Sequence, residues 1–292
     1  MKPPPFRYVA ADSLDEAVAA LAEHGDEAKL LAGGQSLIPM MNFRLARPAV
    51  LIDLNRLVDL QYVERSESGG LRVGAMTRQS VLERQPLVAE LAPLVTETVP
   101  YVAHPQIRNR GTVGGNLAHA DPASELPAVA LALGARFRTR GPGGERWLAA
   151  EEFFTGLLTT ALASDELLVE VEFPGATART GYAFEELARR HGDYAQVGVA
   201  VVLKLDENGR CSDARIVYLS VGDTPLAARE AAARLVGEVP DRQTISEAAA
   251  LAAEREIDPS GDIHASAAYK RHLTRVLTER ALVRAGERAA AA

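Results

Sequence analysis

Apolar and polar positions along this chain change their period several times, and each change marks a different kind of element. Leu14, Ala17, Val18 and Leu21 recur at i, i+3, i+4 and i+7, one face of a helix, behind a capping box formed by Ser13 and Glu16. The helix so predicted ends near Gly25. The apolar run Ala28 to Leu31 then reads as a strand that delivers a Gly-Gly turn. Ser36 is placed to cap a short helical segment holding Pro39, Met40 and Met41, and Ala49 to Leu54 reads as a second buried strand. Together these pieces predict a small β-α-β-α-β lobe.

The second segment opens with a hairpin, Gln61 to Ser66 returning as Leu71 to Ala75 across Ser68-Gly69-Gly70. Thr77 is placed to cap the next helix, a further helix is expected between Pro86 and Val99, and an alanine-rich one from about Ala123 to Gly134. A hairpin around Gly141-Pro142-Gly143-Gly144 follows. Val169, Glu170, Val171, Glu172 and Phe173 then alternate strictly, the pattern of a strand with one wet face, until Pro174-Gly175 breaks it.

Beyond that break the pattern gives strands at Tyr182 to Ala188, Val197 to Leu205 and Ala214 to Val221, with Asn208-Gly209 turning between the last two. After Pro225 it is helical to the end. Tyr269, Leu273, Val276, Leu277 and Val283 mark one face of a long final helix, and Arg288 to Ala292 read as disordered. An antiparallel sheet covered by helices is the simplest packing of this third part. The fold class is α+β.

At 292 residues the chain is longer than a single hydrophobic core usually grows. Lobes at residues 1–57, 58–175 and 176–287 are therefore expected. A net charge of -7 argues against a nucleic-acid partner, which requires a basic face. The lone Cys211 excludes both an intrachain disulfide and an iron–sulfur cluster ligated wholly by this chain, which needs about four thiolates. The N-terminal residues lack an apolar signal region, and no stretch approaches the ~20 apolar residues of a membrane span, so a cytoplasmic location is expected.

Candidate chemistry sits in two short stretches. Ala32-Gly33-Gly34-Gln35-Ser36-Leu37 and Thr112-Val113-Gly114-Gly115-Asn116 each present backbone N–H groups beside residues without Cβ atoms, which suits close approach by a pyrophosphate. Neither matches the Rossmann or P-loop fingerprint, and a single Gly-Gly is more often a tight turn. Two of them suggest a dinucleotide gripped from two sides. Thr112 and Asn116 are candidate partners for phosphate oxygens, and Asp121 and Glu125 for ribitol or ribose hydroxyls. Asn116 and Asp121 could equally fix turns, with Asp121-Pro122 an N-cap followed by Pro at the first helical position.

Ala32 to Ser36, with Leu37-Ile38-Pro39-Met40-Met41 and Arg44-Leu45-Ala46-Arg47-Pro48 behind it, and Gln106-Ile107-Arg108-Asn109-Arg110 running into Gly111 to Asn116, together resemble a known family. It is the FAD-binding medium subunit of the molybdenum hydroxylases, the xanthine dehydrogenase family. Within that family the chain most resembles the medium subunit of aerobic carbon monoxide dehydrogenase. Arg189-Arg190-His191-Gly192-Asp193-Tyr194-Ala195 extends the resemblance into the C-terminal part.

The resemblance implies a two-lobed FAD-binding domain of the PCMH type, followed by an antiparallel sheet and helical bundle of the carbon monoxide dehydrogenase flavoprotein type. It implies that Ala32 to Ser36 and Thr112 to Asn116 hold the FAD pyrophosphate, with Leu37 also in the cofactor site, that Leu168 lies near the flavin or adenine rings, and that Tyr194 covers the isoalloxazine. Aromatic cover excludes water and offers offset π contact; on the residues alone Tyr194 reads as an ordinary core tyrosine. The implied partners are a large molybdopterin subunit and a small [2Fe–2S] subunit in a dimer of heterotrimers, associated through the complex with the inner membrane face. Glu185 stands where xanthine dehydrogenases resemble one another in having a Lys near the flavin, which leaves the electron acceptor open.

Other residues carry less. The six histidines lack metal-ligand spacing, and only His104 and His119 lie near the second glycine loop. Arg108 and Arg110 could lend positive charge to the pyrophosphate. No nucleophile elbow appears and Cys211 has no recognisable base, so no catalytic acid, base or nucleophile is assigned. Two other functions stay open, a stand-alone FAD-dependent oxidase and a non-enzymatic nucleotide-binding assembly module. The missing redox cysteines weigh against the first and the paired glycine loops against the second.

Overall fold

The computed structural model describes residues 2–292. The first lobe follows the expected β-α-β-α-β order: β1 (Arg7–Ala10), α1 (Leu14–His24), β2 (Ala28–Leu31), α2 (Leu37–Asn42) and β3 (Val50–Asp53). The strands lie in the order β1-β3-β2 and pair in parallel, which the two helical crossovers permit. The Ser13 hydroxyl accepts the Glu16 N–H at 3.2 Å, and the Glu16 carboxylate reaches back to the Asp12 N–H at 2.8 Å. Ala17, Val18 and Leu21 on the predicted face are buried. Ser36 makes no capping bond at the start of α2.

The second lobe begins with β4 (Val63–Arg65) and β5 (Leu71–Gly74). Six helices follow: α3 (Gln79–Arg84), α4 (Pro86–Leu91), α5 (Pro93–Thr98), α6 (Pro105–Arg108), α7 (Val113–His119) and α8 (Glu125–Leu133). Next come β6 (Arg136–Gly141), β7 (Gly144–Ala149), α9 (Ala150–Phe153), a short ribbon of β8 (Phe154–Gly156) and β9 (Thr159–Thr160), and β10 (Leu167–Phe173). The helix expected between Pro86 and Val99 is two helices. Ala92 leaves the helical region at φ −140°, and Pro93, which has no N–H to donate, starts the second one. Thr77 does not cap α3; its hydroxyl closes on the Tyr62 backbone, accepting from N–H at 3.1 Å and donating to C=O at 2.9 Å. Asp121 does not cap α8 either: it accepts the Ala123 N–H at 2.9 Å in an Asx turn, and the helix begins at Glu125.

β10 departs most from expectation. It is the central strand of the antiparallel order β4-β5-β10-β6-β7, and all seven of its residues are buried. The alternation is real, but its polar side is not wet. Glu170, 1% exposed, accepts from Arg72 at 2.7 Å, from Arg138 at 3.2 Å and from the Tyr62 hydroxyl. Glu172 accepts from Arg136 at 2.6 Å and Ser68 at 2.8 Å. Arginine stems from the flanking strands lie over the two carboxylates, and a buried charge is tolerable only when paired in this way.

The third sheet is an antiparallel meander of β11 (Thr180–Ala188), β12 (Ala195–Leu205), β13 (Cys211–Leu219) and a short β14 (Leu226–Ala227) that the sequence pattern missed. α10 (Arg229–Leu235), α11 (Arg242–Leu251) and α12 (Ala267–Ala291) cover it. Tyr269 and Val283 of the expected α12 face are exposed. Leu273 and Leu277 of that face are buried, together with Ala281, Ala285 and Ala289, which the pattern did not single out. Small residues are required there because the helix backbone runs against the sheet: a Cβ on Gly181 would meet the Ala285 carbonyl oxygen at 1.8 Å. The C-terminal residues expected to be disordered continue α12, where Arg288 pairs with Glu97 of α5. Among the described residues no helix is long and apolar enough to cross a membrane.

Candidate functional site

A cleft of about 730 Å³, within the ~300–1,000 Å³ typical of ligand sites, runs between the first two lobes, and the third lobe reaches over it. The tip of the β11–β12 hairpin supplies that reach. Gly192, at φ +85°, packs so tightly on the second lobe that a Cβ would meet His104 Nδ1 at 2.5 Å, and Asp193 and Tyr194 follow it into the cleft lining.

The first glycine loop leaves β2 and enters α2. Gly34 adopts φ +74°, which favours glycine, and a Cβ on Gly33 would meet Arg110 O at 2.5 Å and the Gly111 Cα at 2.6 Å. The two loops therefore touch backbone to backbone. Among the described residues, the N–H groups of Gly33, Gly34, Gln35, Ser36 and Leu37 have no acceptor within the protein. Gln35 turns its side chain back onto the Gly33 carbonyl at 3.1 Å. A run of unpaired amides beside a cleft is an anion-binding concavity.

The second loop is built differently. Val113 N–H donates to Thr77 O at 2.9 Å, Gly114 N–H to Ala75 O at 2.8 Å, and Asn116 N–H to Thr112 O at 3.1 Å. Gly115 N–H donates to the Thr112 hydroxyl at 3.0 Å, so Thr112 is the N-cap of α7. These four amides have partners within the protein, whereas among the described residues the Thr112 N–H has none, so the second loop offers fewer free donors than the first. The glycines serve close packing instead: a Cβ would meet Ala75 Cβ at 2.5 Å from Gly114, and Thr112 Oγ1 at 2.7 Å from Gly115. Val113 is fully buried in the core and does not line the cleft. Asn116 accepts the Ser124 hydroxyl at 2.9 Å through Oδ1, which leaves its Nδ2 for a ligand.

The cleft gathers Ala32, Gly33, Gly34, Gln35, Ser36, Leu37, Thr112, Gly114, Gly115, Asn116, Asp121, Glu125, Leu168 and Tyr194. Tyr194 is 72% exposed, so the core reading of it is wrong. Leu168 sits beside a bulge in β10, where the pairing with β6 shifts register. Glu125 is 5% exposed, and burial, then Asp121, pushes its carboxyl up to about 7. Glu186, behind it on β11, is pushed up to about 9 by burial and by Glu125. Of the two histidines near the second loop, His119 lines the cleft and His104 does not.

Three expected charges lie elsewhere. Arg108 is buried, donating to the Val102 and Ala103 carbonyls at 3.1 Å and pairing with Glu83 at 3.1 Å. Arg110 is exposed outside the lining. Glu185 pairs with Arg284 at 3.0 Å and does not face the cleft. Sequence reasoning also missed Gln79 and the Leu158–Thr160 turn of the β8–β9 ribbon. No motif flags them; only the pairing of Thr77 and Gln79 backbone groups with the second loop brings Gln79 to the site.

A small parallel lobe and a larger antiparallel lobe facing one another across an amide-lined cleft make a scaffold suited to a nucleotide. Comparison with known proteins makes it specific. The family described as "FAD binding domain in molybdopterin dehydrogenase" matches residues 4–176, and "CO dehydrogenase flavoprotein C-terminal domain" matches residues 182–285. The chain is 43% identical to the 6-hydroxypseudooxynicotine dehydrogenase complex subunit alpha of Paenarthrobacter nicotinovorans, covering 99% of this chain and 97% of that one. It is 40% identical to the carbon monoxide dehydrogenase medium chain of Hydrogenophaga pseudoflava, covering 99% and 100%. The structure superposes on that of carbon monoxide dehydrogenase from H. pseudoflava with a TM-score of 0.95 at 41% identity, covering 99% of both chains.

The chain belongs to the FAD-binding medium subunits of the molybdenum hydroxylases, a family of oxidoreductases. Its cleft fits FAD: unpaired amides for a diphosphate, acidic acceptors for hydroxyls at Asp121 and Glu125, and an aromatic ring at the mouth.

Proposed function

We propose that this chain carries FAD as an electron-transfer station, receiving electrons from [2Fe–2S] centres of a small partner subunit and passing them to an external acceptor. Substrate oxidation in this reading takes place on a large molybdopterin subunit, in a dimer of heterotrimers placed in the cytoplasm at the inner membrane face. The observation that carries the reading is the run of unpaired N–H groups from Gly33 to Leu37 beside a cleft that all three lobes line. FAD supplies the exchange between one-electron and two-electron carriers.

The chain's own residues bind and orient. Gly33 to Leu37 hold the diphosphate, Asn116 Nδ2 adds a donor from the other lobe, and Asp121 and Glu125 accept from ribitol or ribose hydroxyls. Leu168 packs against a ring system, and Tyr194 covers the isoalloxazine at the mouth. The relatives' names point to 6-hydroxypseudooxynicotine in one case and carbon monoxide in another. Similar medium subunits thus serve unlike substrates, in keeping with substrate choice on the large subunit.

Co-expression with the neighbouring molybdopterin-binding and iron–sulfur chains tests the reading. The expected result is a yellow complex whose flavin is bleached by the complex's substrate, while the isolated chain is yellow and inert to it. Turnover by the isolated chain would establish the stand-alone oxidase instead, and a colourless chain the assembly module.

A further inference from the structure

Gln79 opens α3 directly beneath the second glycine loop. It is 3% exposed, yet it lines the cleft. Its backbone is pinned, with N–H donating to Gly111 O at 3.0 Å. Its side-chain amide is not: Oε1 is buried without a partner, and Nε2 has none among the described residues. Oε1 lies so near the Gly111 backbone that a Cβ there would meet it at 2.7 Å.

A buried amide oxygen without a partner is costly, and the fold retains this one in a rigid setting. Arg78, the preceding residue, donates to the Arg110 carbonyl and, at 2.7 Å, to Asn55, whose own amide donates to Ala32 O at 2.9 Å. Gln79 is thus fixed at the seam where the two loops meet. The adjoining amides of Val113, Gly114 and Gly115 are spent inside the protein, so a side-chain amide here adds a donor that this stretch of backbone does not offer.

We infer that Gln79 is a binding residue of the cleft, its side-chain amide donating to a diphosphate oxygen of the dinucleotide. The inference rests on the reading of the cleft as the FAD site and adds a residue that neither glycine motif contains. A hydrogen bond from a fixed neutral amide to a charged oxygen is among the stronger kinds.

The test uses the full chain, freed of flavin, and follows FAD binding by fluorescence quenching together with thermal unfolding of the apoprotein. Gln79→Leu is expected to weaken FAD about tenfold or more while leaving apoprotein melting unchanged or raised, because the amide has no protein partner to lose. Gln79→Glu keeps the shape and places a carboxylate against the diphosphate. It is expected to weaken FAD about a hundredfold, with the loss shrinking at high salt, while riboflavin, which has no phosphate, is unaffected by either substitution. FAD affinity unchanged in Gln79→Leu, or apoprotein melting lowered with affinity intact, would overturn the inference and leave the FAD site standing. If the wild-type apoprotein takes up no FAD, the reading of the cleft falls, and the role of Gln79 with it.

Discussion

The two glycine loops look alike in sequence and behave as opposites in structure. The first, Gly33 to Leu37, leaves its amides unpaired beside the cleft. The second, Val113 to Asn116, spends its amides on Thr77, Ala75 and Thr112 and uses its glycines to bring α7 against the end of β5. One loop is a donor surface; the other is a wall held close to it. Paired Gly-Gly motifs therefore need not mean paired phosphate grips, because glycine serves close packing as readily as it exposes N–H groups.

The contrast can be broken at either loop. Gly33→Ala has the largest expected effect, since its Cβ would strike the Arg110 and Gly111 backbone, where nothing flexible can give way. It should abolish FAD retention, read as loss of flavin absorbance in the purified protein. Gly114→Ala should act on the fold, lowering apoprotein stability by about 1–3 kcal/mol in denaturant unfolding, because its Cβ meets Ala75. Equal loss of flavin with no loss of stability in Gly114→Ala would show that the second loop is a grip after all.

The acidic end of the cleft sharpens the comparison through pH. Burial raises Glu125 to about 7 and Glu186 to about 9 from the model-peptide value of 4.5, with Asp121 raising and Arg108 lowering the first and Glu125 raising the second. A folded state that holds protons more tightly than the unfolded chain loses stability as pH rises from the unfolded pKa through the folded one. Apoprotein stability should therefore fall between about pH 4.5 and 7 for Glu125 and on toward pH 9 for Glu186, by at most ~1.4 kcal/mol per pH unit for each proton. Thermal melts against pH should flatten over that window in Glu125→Gln and Glu186→Gln; superimposable curves would contradict the assignment. The smallest effect belongs to Thr112→Ala, which removes the α7 cap for about 1 kcal/mol in chemical denaturation.

Much of the fold was legible where local chemistry decides it. Ser13 and Glu16 marked α1, and the turns at Gly69 and Gly209 fell where glycine at positive φ is needed. Patterning failed where tertiary contact overrides it. Alternation in β10 predicted a wet face because sequence cannot show that Arg72, Arg136 and Arg138 from other strands cover Glu170 and Glu172. Counting large apolar residues found Leu273 and Leu277 of the α12 face but wrongly added Tyr269 and Val283, because the C-terminal half packs through small Ala281 and Ala285 against Gly181. At the cleft, motif residues were visible, whereas Gln79 and the internal commitment of the second loop's amides depend on chain crossings with no sequence signature.

Hydrogen exchange resolved to individual amides, with and without FAD, tests the central asymmetry most directly. Gly33 to Leu37 should exchange freely in the apoprotein and become strongly protected when FAD binds, while Gly114 and Asn116, already bonded, should be protected in both states. Protection gained at Gly114 and Asn116 with none at Gly33 to Leu37 would contradict the account.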